Sequence, residues 1–280
     1  MSSKKKSKKK IGKKKSSKKI QINPKLKIIQ SECIKFNKEK ININVIRDDL
    51  LEAGTKQRAI IPYFKQHKST EFIYVCPFTG GAQVTLGYGA KLTNKKITLF
   101  IKKIRPRHPL TKKAMKYNTV NLIEVENGTL KNMGKMAEEY YNEMVEENGK
   151  EYIELIKLGF DNKKYSKIFT DQLKKSISKS LKDNPPKRLW VPTGSTTLLN
   201  CLYKVFPKTF FYVIQTGKTV WPDQIEKRRT KVFITKEPFY KKAKFQPPYP
   251  TTKAYDAKAW FFVKKFGREG DYIWNITSDD

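Results

Sequence analysis

The chain is 280 residues long, 38% hydrophobic and 12% aromatic, with 60 Lys and Arg against 26 Asp and Glu for a net charge of +34. That is apolar material for one sizeable core or two small ones sharing a cleft, and the charge favours polyanions: nucleic acid, an anionic membrane surface or phosphorylated small molecules. Three scattered cysteines (Cys33, Cys76, Cys201) exclude a disulfide framework and a C-x-x-C metal pair, two histidines (His67, His108) are too few for a histidine zinc site, and no apolar run of about 18 residues offers a membrane span.

Eleven lysines and no acid fall between Met1 and Ile20. Like charges this dense repel, and nothing there offsets the entropy of ordering, so residues 1–22 are expected to form a disordered tail that Asn23-Pro24 ends. The N-terminus lacks an apolar signal core, which argues for an intracellular protein, cytoplasmic or nuclear. The run KKKSKKK at residues 4–10 suits a nuclear import signal as well as a nucleic-acid tether.

Gly54-Thr55-Lys56-Gln57-Arg58-Ala59 is a small turn that delivers Lys56 to the start of a short helix, which Pro62 is expected to cut off. A lysine at the positive end of a helix has a depressed pKa, useful in a nucleophilic amine. The bland alternative is one more solvated lysine. Residues 71–78 (EFIYVCPF) read as a strand that runs into the turn Thr79-Gly80-Gly81-Ala82-Gln83 and a small-residue helix over 84–92. Such a turn is a ready anion site or an ordinary tight packing turn. Residues 96–101 and 120–125 are further strands, the second closed by Asn127-Gly128. Over 131–147 the spacing of Met133, Met136, Ala137, Tyr140, Met144 and Val145 predicts a helix with these residues on its core side. Apolar runs at 188–191, 209–214, 231–234 and 272–276 are strand-length, and Gly194-Ser195-Thr196-Thr197 stands between one of them and a helix over 198–205. Hydroxyls and a glycine there suit a phosphate monoester, or cap the helix. This alternation predicts a mainly parallel α/β fold whose ligands sit at the carboxyl ends of strands.

Taken in order, the lysine turn, the strand–glycine loop–helix and the late strand–Gly-Ser-Thr-Thr–helix resemble the fold-type-II pyridoxal-phosphate enzymes. These include tryptophan synthase β, serine racemase and the aminocyclopropane-carboxylate deaminase and cysteine desulfhydrase group. Gly54–Arg58 looks like their G-x-K-x-R segment, and Tyr255-Asp256-Ala257-Lys258-Ala259 is similar to a Tyr-x-x-Lys-Ala stretch near the deaminase C-terminus. The resemblance implies a two-domain tryptophan-synthase-β-like fold behind the tail: residues 23–70 plus 166–280 in the larger domain, and 71–165 in a smaller inserted one. It implies pyridoxal 5′-phosphate as cofactor, Lys56 as its Schiff-base lysine and the base at Cα, and Gly194, Ser195, Thr196 and Thr197 as the phosphate cradle. Thr79, Gly80, Gly81, Ala82, Gln83 and Tyr255 would meet the substrate, with Thr277, or Asn275, beside the pyridine nitrogen. The activity implied is that of a lyase or deaminase on an amino acid or an amino-acid-bearing substrate, in a homodimer.

The sequence departs from that pattern where Ala82 replaces the usual Asn and where Ser195-Thr196-Thr197 replaces several glycines. Compact PLP-fold proteins of large DNA viruses and phages look similar, and the Lys, Asn and Ile bias suits an AT-rich genome, which together would place the protein with a virion. A second reading is a catalytically inactive member that binds DNA or RNA non-specifically through its tail and basic surface. No aromatic-interleaved RNA-binding motif is evident in the sequence.

Overall fold

The computed structural model describes residues 24–279. The basic tail expected over 1–22 lies outside them. Among the described residues there are ten strands and eight α-helices, mostly in alternation. The first two strands, β1 (Ile28–Ile34) and β2 (Lys40–Arg47), form the sole antiparallel pair among the described strands. They escaped the sequence reading, although Ile41, Ile43 and Val45 alternate with polar residues and all three are buried. Then follow α1 (Gln57–Lys65), β3 (Glu71–Cys76), α2 (Ala82–Thr93), β4 (Lys96–Lys102), α3 (Pro109–Ala114), β5 (Val120–Val125), α4 (Leu130–Asn148) and β6 (Ile153–Ile156). The C-terminal half holds α5 (Lys163–Ser176), α6 (Lys179–Asp183), β7 (Arg188–Thr193), α7 (Thr197–Val205), β8 (Phe210–Gln215), β9 (Thr230–Ile234), α8 (Lys258–Phe266) and β10 (Tyr272–Asn275).

The strands form two sheets. One has the order β5-β4-β3-β6 and is wholly parallel; the other has the order β1-β2-β10-β7-β8-β9 and is parallel beyond its hairpin. Side chains alternate across β3, so Phe72, Tyr74 and Cys76 join the large core with α1, α2 and α5, while Ile73 packs with Met133 and Ala137 of α4. Thr129 caps α4 by accepting the Asn132 N–H. On that helix Met136 proves 38% exposed, because its position three residues beyond Met133 leaves the stripe that Met133 and Ala137 define.

Pro62 does not end α1. The helix continues to Lys65, since Ile60, Ile61, Tyr63 and Phe64 are all buried and outweigh one missing backbone hydrogen bond. Gly89 of α2 brings the two helices together: a Cβ there would lie 3.0 Å from Ile60. On the far face of the larger sheet, α8 packs Ala259, Trp260 and Val263 against Val45, Trp190, Ile214 and Ile273. Cys33, Cys76 and Cys201 are free and buried. Among the described residues no helix is long and apolar enough to cross a membrane.

Candidate active site

The loops expected to carry chemistry, together with those of Gly159 and Lys218, leave the carboxyl ends of strands, where an open α/β sheet places ligands. Lys56 follows β2, residues 77–83 follow β3, Gly159 follows β6, Gly194–Thr197 follow β7, Lys218 follows β8, and Thr277 follows β10. These loops converge on a cavity of about 340 Å³ whose wall includes Lys56, Gly80, Gly81, Ala82, Gly159, Gly194, Ser195, Lys218, Phe239 and Tyr255. A second, tight space of about 60 Å³ joins Lys56 to Thr79, Thr252 and Thr277.

Lys56 is pinned from both sides. The Thr55 N–H donates to the Ile276 carbonyl at 2.9 Å, and Trp274 Nε1 donates to Thr55 Oγ1 at 2.9 Å, tying the turn to the end of β10. Gly54 has φ +69, and a Cβ there would lie 2.6 Å from the Ile276 carbonyl oxygen and 2.7 Å from Thr277 Cβ. Only glycine fits. The two cations of the segment have opposite fates. Arg58 is 1% exposed and chelated by Asp48 at 2.6 and 3.1 Å, with further bonds to the Pro24 carbonyl and Ser176 Oγ. Lys56 has no ion pair among the described residues, and burial pushes its amine below the usual lysine range against the pull of Asp256 and Cys76.

Asp256 is the acid that the sequence reading quoted but gave no role. It is 4% exposed; its Oδ2 accepts from Thr252 Oγ1 at 3.0 Å and from the Thr277 N–H at 3.2 Å, and its Oδ1 has no partner. Burial outweighs those donors and pushes the carboxyl up to about 8. Thr277 itself packs its side chain on the Gly54 turn. Asn275 lies elsewhere in function: its side chain accepts from Thr251 Oγ1 at 2.8 Å and donates to the Pro250 carbonyl at 2.8 Å, fastening the 250–252 loop.

In the loop after β3, Gln83 donates from Nε2 to the Phe78 and Gly80 carbonyls at 2.9 and 3.0 Å, so its amide staples the turn. Ala82 and Gln83 open α2 without a capping side chain at its N-cap, and the buried Thr79 Oγ1 has no partner. The Gln83 N–H turns to the Cys76 sulfur, so the Ala82 N–H, the helix dipole and the unpaired Thr79 hydroxyl remain as features that suit a carboxylate. Ala82 adds no polar group where the resembled family has Asn.

At the other end, Gly194 is fixed by its neighbours: a Cβ would meet Tyr255 Oη at 2.8 Å, and a Cβ on Gly217 would meet the Gly194 Cα at 2.8 Å. The uncapped N-terminus of α7 follows. Thr197 Oγ1 donates to the Gly159 carbonyl at 2.6 Å and Ser195 Oγ to the same oxygen at 3.5 Å, so those hydroxyls hold the loop of β6. Thr196 and Lys218 line a neighbouring cavity of about 350 Å³ with the start of α7, an arrangement that suits an anion. Lys218 gave no signal among 60 Lys and Arg. Phe239, also unforeseen, lines the larger cavity beside Tyr255, with ring centroids 6.0 Å apart. Its segment is held by Lys258 of α8, whose buried Nζ donates to the Pro238 carbonyl at 2.8 Å and to those of Glu237 and Phe239 at 3.4 Å.

No protein-family model matches the sequence, and no curated protein matches it. Solved structures do match. A crystal structure of an ACC deaminase homologue superposes with a TM-score of 0.69 at 13% identity, covering 93% of this chain and 91% of that one. A hydrogen sulfide-producing enzyme from Fusobacterium nucleatum gives 0.63 at 13% identity, over 92% and 97% of the two chains. Maize serine racemase gives 0.56 at 11% identity, over 86% and 84%. The chain has the fold of the fold-type-II pyridoxal-phosphate enzymes. Within that fold, Lys56, Gly80, Gly81, Ala82, Gly194 and Ser195 line one cavity, and Thr196 and Thr197 at the start of α7 line a neighbouring one. Among the described residues no cluster of His, Cys, Asp and Glu could hold a metal ion.

Proposed function

We propose that the chain binds pyridoxal 5′-phosphate through Lys56 and acts as a lyase or deaminase on a small amino acid or an amino-acid-bearing substrate. The single observation that supports this best is one cavity shared by a pKa-depressed lysine without an ion pair among the described residues, the uncapped N-terminus of α2 and the Gly194-Ser195 turn that leads into α7. The residues fit the cofactor. The α7 N-terminus, Gly194, Ser195, Thr196 and Lys218 would hold its phosphate, Tyr255 would stand beside its ring, and Asp256 with Thr252 and Thr277 would form the polar floor for the ring nitrogen. When bound, the group supplies an aldehyde for an amine and a ring that takes up electron density released at Cα.

The chain's own residues would do the rest. Lys56, whose amine burial holds below the usual lysine range, presents a lone pair and then serves as the base at Cα. Thr79 and the Ala82 N–H bind the substrate carboxylate and fix which Cα bond faces Lys56. Phe239 excludes water above the site. The two sheets would be the two domains that meet across the substrate, divided at residues 70/71 and 165/166.

The test is an absorbance titration of the purified protein with pyridoxal phosphate, wild type against Lys56→Ala. A visible band that borohydride abolishes, present in the wild type and absent in the variant, is the expected result. No band in either protein overturns the proposal.

A further inference from the structure

Folding gathers on one face aromatic rings and lysines from four separate segments of the chain. The rings come from the β1–β2 hairpin, the 241–248 loop, β9 and the outer side of α8. Phe36 lies 5.4 Å from Phe245 and 5.6 Å from Phe261 between ring centroids; beside them Phe233 contacts Phe262 at 5.0 Å and Phe266 at 5.2 Å. Phe36 is 47% exposed, Phe266 40% and Phe261 36%. Ammonium groups lie over these rings. Lys264 is 5.1 Å from the centre of Phe36 and 5.2 Å from that of Phe245, Lys244 is 5.7 Å from Phe245, Lys231 5.3 Å from Phe233 and Lys265 5.3 Å from Phe266.

None of these four lysines is in an ion pair among the described residues; the lysine pairs fall at Lys35, Lys40, Lys103, Lys113 and Lys167. The bordering carboxylates are engaged, Glu39 with Lys35 and Glu237 with the Lys244 N–H. Residues 230–268 carry ten Lys and Arg against Glu237 and the buried Asp256. A second copy of this chain would set lysines against lysines. A polyanion with flat apolar rings answers both halves of the surface: phosphates for the ammonium groups, unstacked bases for the phenyl faces. Duplex bases are stacked inside and cannot reach such rings.

We propose that this face is a platform for single-stranded nucleic acid, independent of the cofactor site and distinct from charge attraction by the lysine tail. The experiment is fluorescence anisotropy of the full chain with a labelled oligothymidylate of about twenty nucleotides and with a duplex of the same length, at salt high enough to weaken purely ionic binding. Phe36→Ala and Phe261→Ala should each weaken single-strand binding about five- to a hundredfold and leave duplex binding unchanged. Phe261→Trp should retain affinity and show tryptophan quenching on adding the oligonucleotide. Lys264→Gln should reduce the salt slope of single-strand binding by about 1. Equal loss for both nucleic acids, no loss for either, or an unquenched Trp at 261 would overturn the proposal. So would a sedimenting dimer that Phe261→Ala dissociates, since the face would then belong to a second copy.

Discussion

Lys56 and Arg58 stand two residues apart, yet their removal should have opposite consequences. Arg58→Ala deletes both bonds to Asp48, which is fully buried, and leaves that carboxylate without its counter-charge. Breaking a buried pair in this way costs about 3 to 5 kcal/mol. The orphaned Pro24 carbonyl and Ser176 hydroxyl push the cost toward the upper end. In a chain of this size that lowers the melting temperature by about 6 to 20 °C. Lys56→Ala removes an ammonium that has no ion pair among the described residues and is destabilised by burial, so the cofactor-free protein should change by less than about 1 kcal/mol. The assay is thermal unfolding without cofactor, where ligand binding cannot mask the difference. Adding Asp48→Ala to Arg58→Ala should recover part of the loss, because no uncompensated charge remains. An Arg58→Ala protein melting within about 2 °C of its parent would refute the account of Arg58. An equal loss in Lys56→Ala would make Lys56 a structural residue rather than a reactive one.

Three further outcomes are expected. Gly54→Ala should destabilise by about 2 to 5 kcal/mol, from left-handed strain plus the clash with residues 276 and 277, and should abolish the cofactor band; a soluble variant with normal stability and band would show that the turn yields. Asp256 titrates near 3.8 when unfolded and about 8 when folded. Between those values the folded state holds more protons, so stability should fall as pH rises from about 4 to 8, and Asp256→Asn should flatten that fall in urea unfolding series; an unaltered slope would contradict the burial of a neutral acid. Lys258→Met keeps the side-chain stem but frees three carbonyls of the 237–239 segment, so proteolysis there should quicken and bound cofactor should escape faster. Unchanged rates of both would remove Lys258 from the site's support.

Much of the architecture was legible because strand and helix periods are local. The runs at 96–101 and 120–125 lie in β4 and β5, those at 71–78 and 209–214 overlap β3 and β8, and their alternation with helices foretold parallel sheets. The three loops were legible because small residues between a strand and a helix have few other uses. Missed elements had local reasons as well. The β1–β2 hairpin is half polar, with Asn42 and Asn44 between buried isoleucines, and the rings and lysines of α8 were hidden beside the more conspicuous Tyr255–Ala259 stretch.

What the sequence by itself determined is therefore the class of fold, the order of its loops and the candidacy of Lys56. Tertiary structure decided which of the charged groups are paired and which are buried without an ion pair among the described residues. The Arg58 network draws on Pro24, Asp48 and Ser176, and the Asp256 carboxyl on Thr252 and Thr277, groups far apart in the chain or unremarkable beside it. A side chain's pKa and pairing depend on the dielectric and partners within a few ångströms, and only folding sets those. The aromatic–lysine face has the same origin: four segments, each ordinary alone, become one surface when α8 packs on the larger sheet beside β9 and the hairpin.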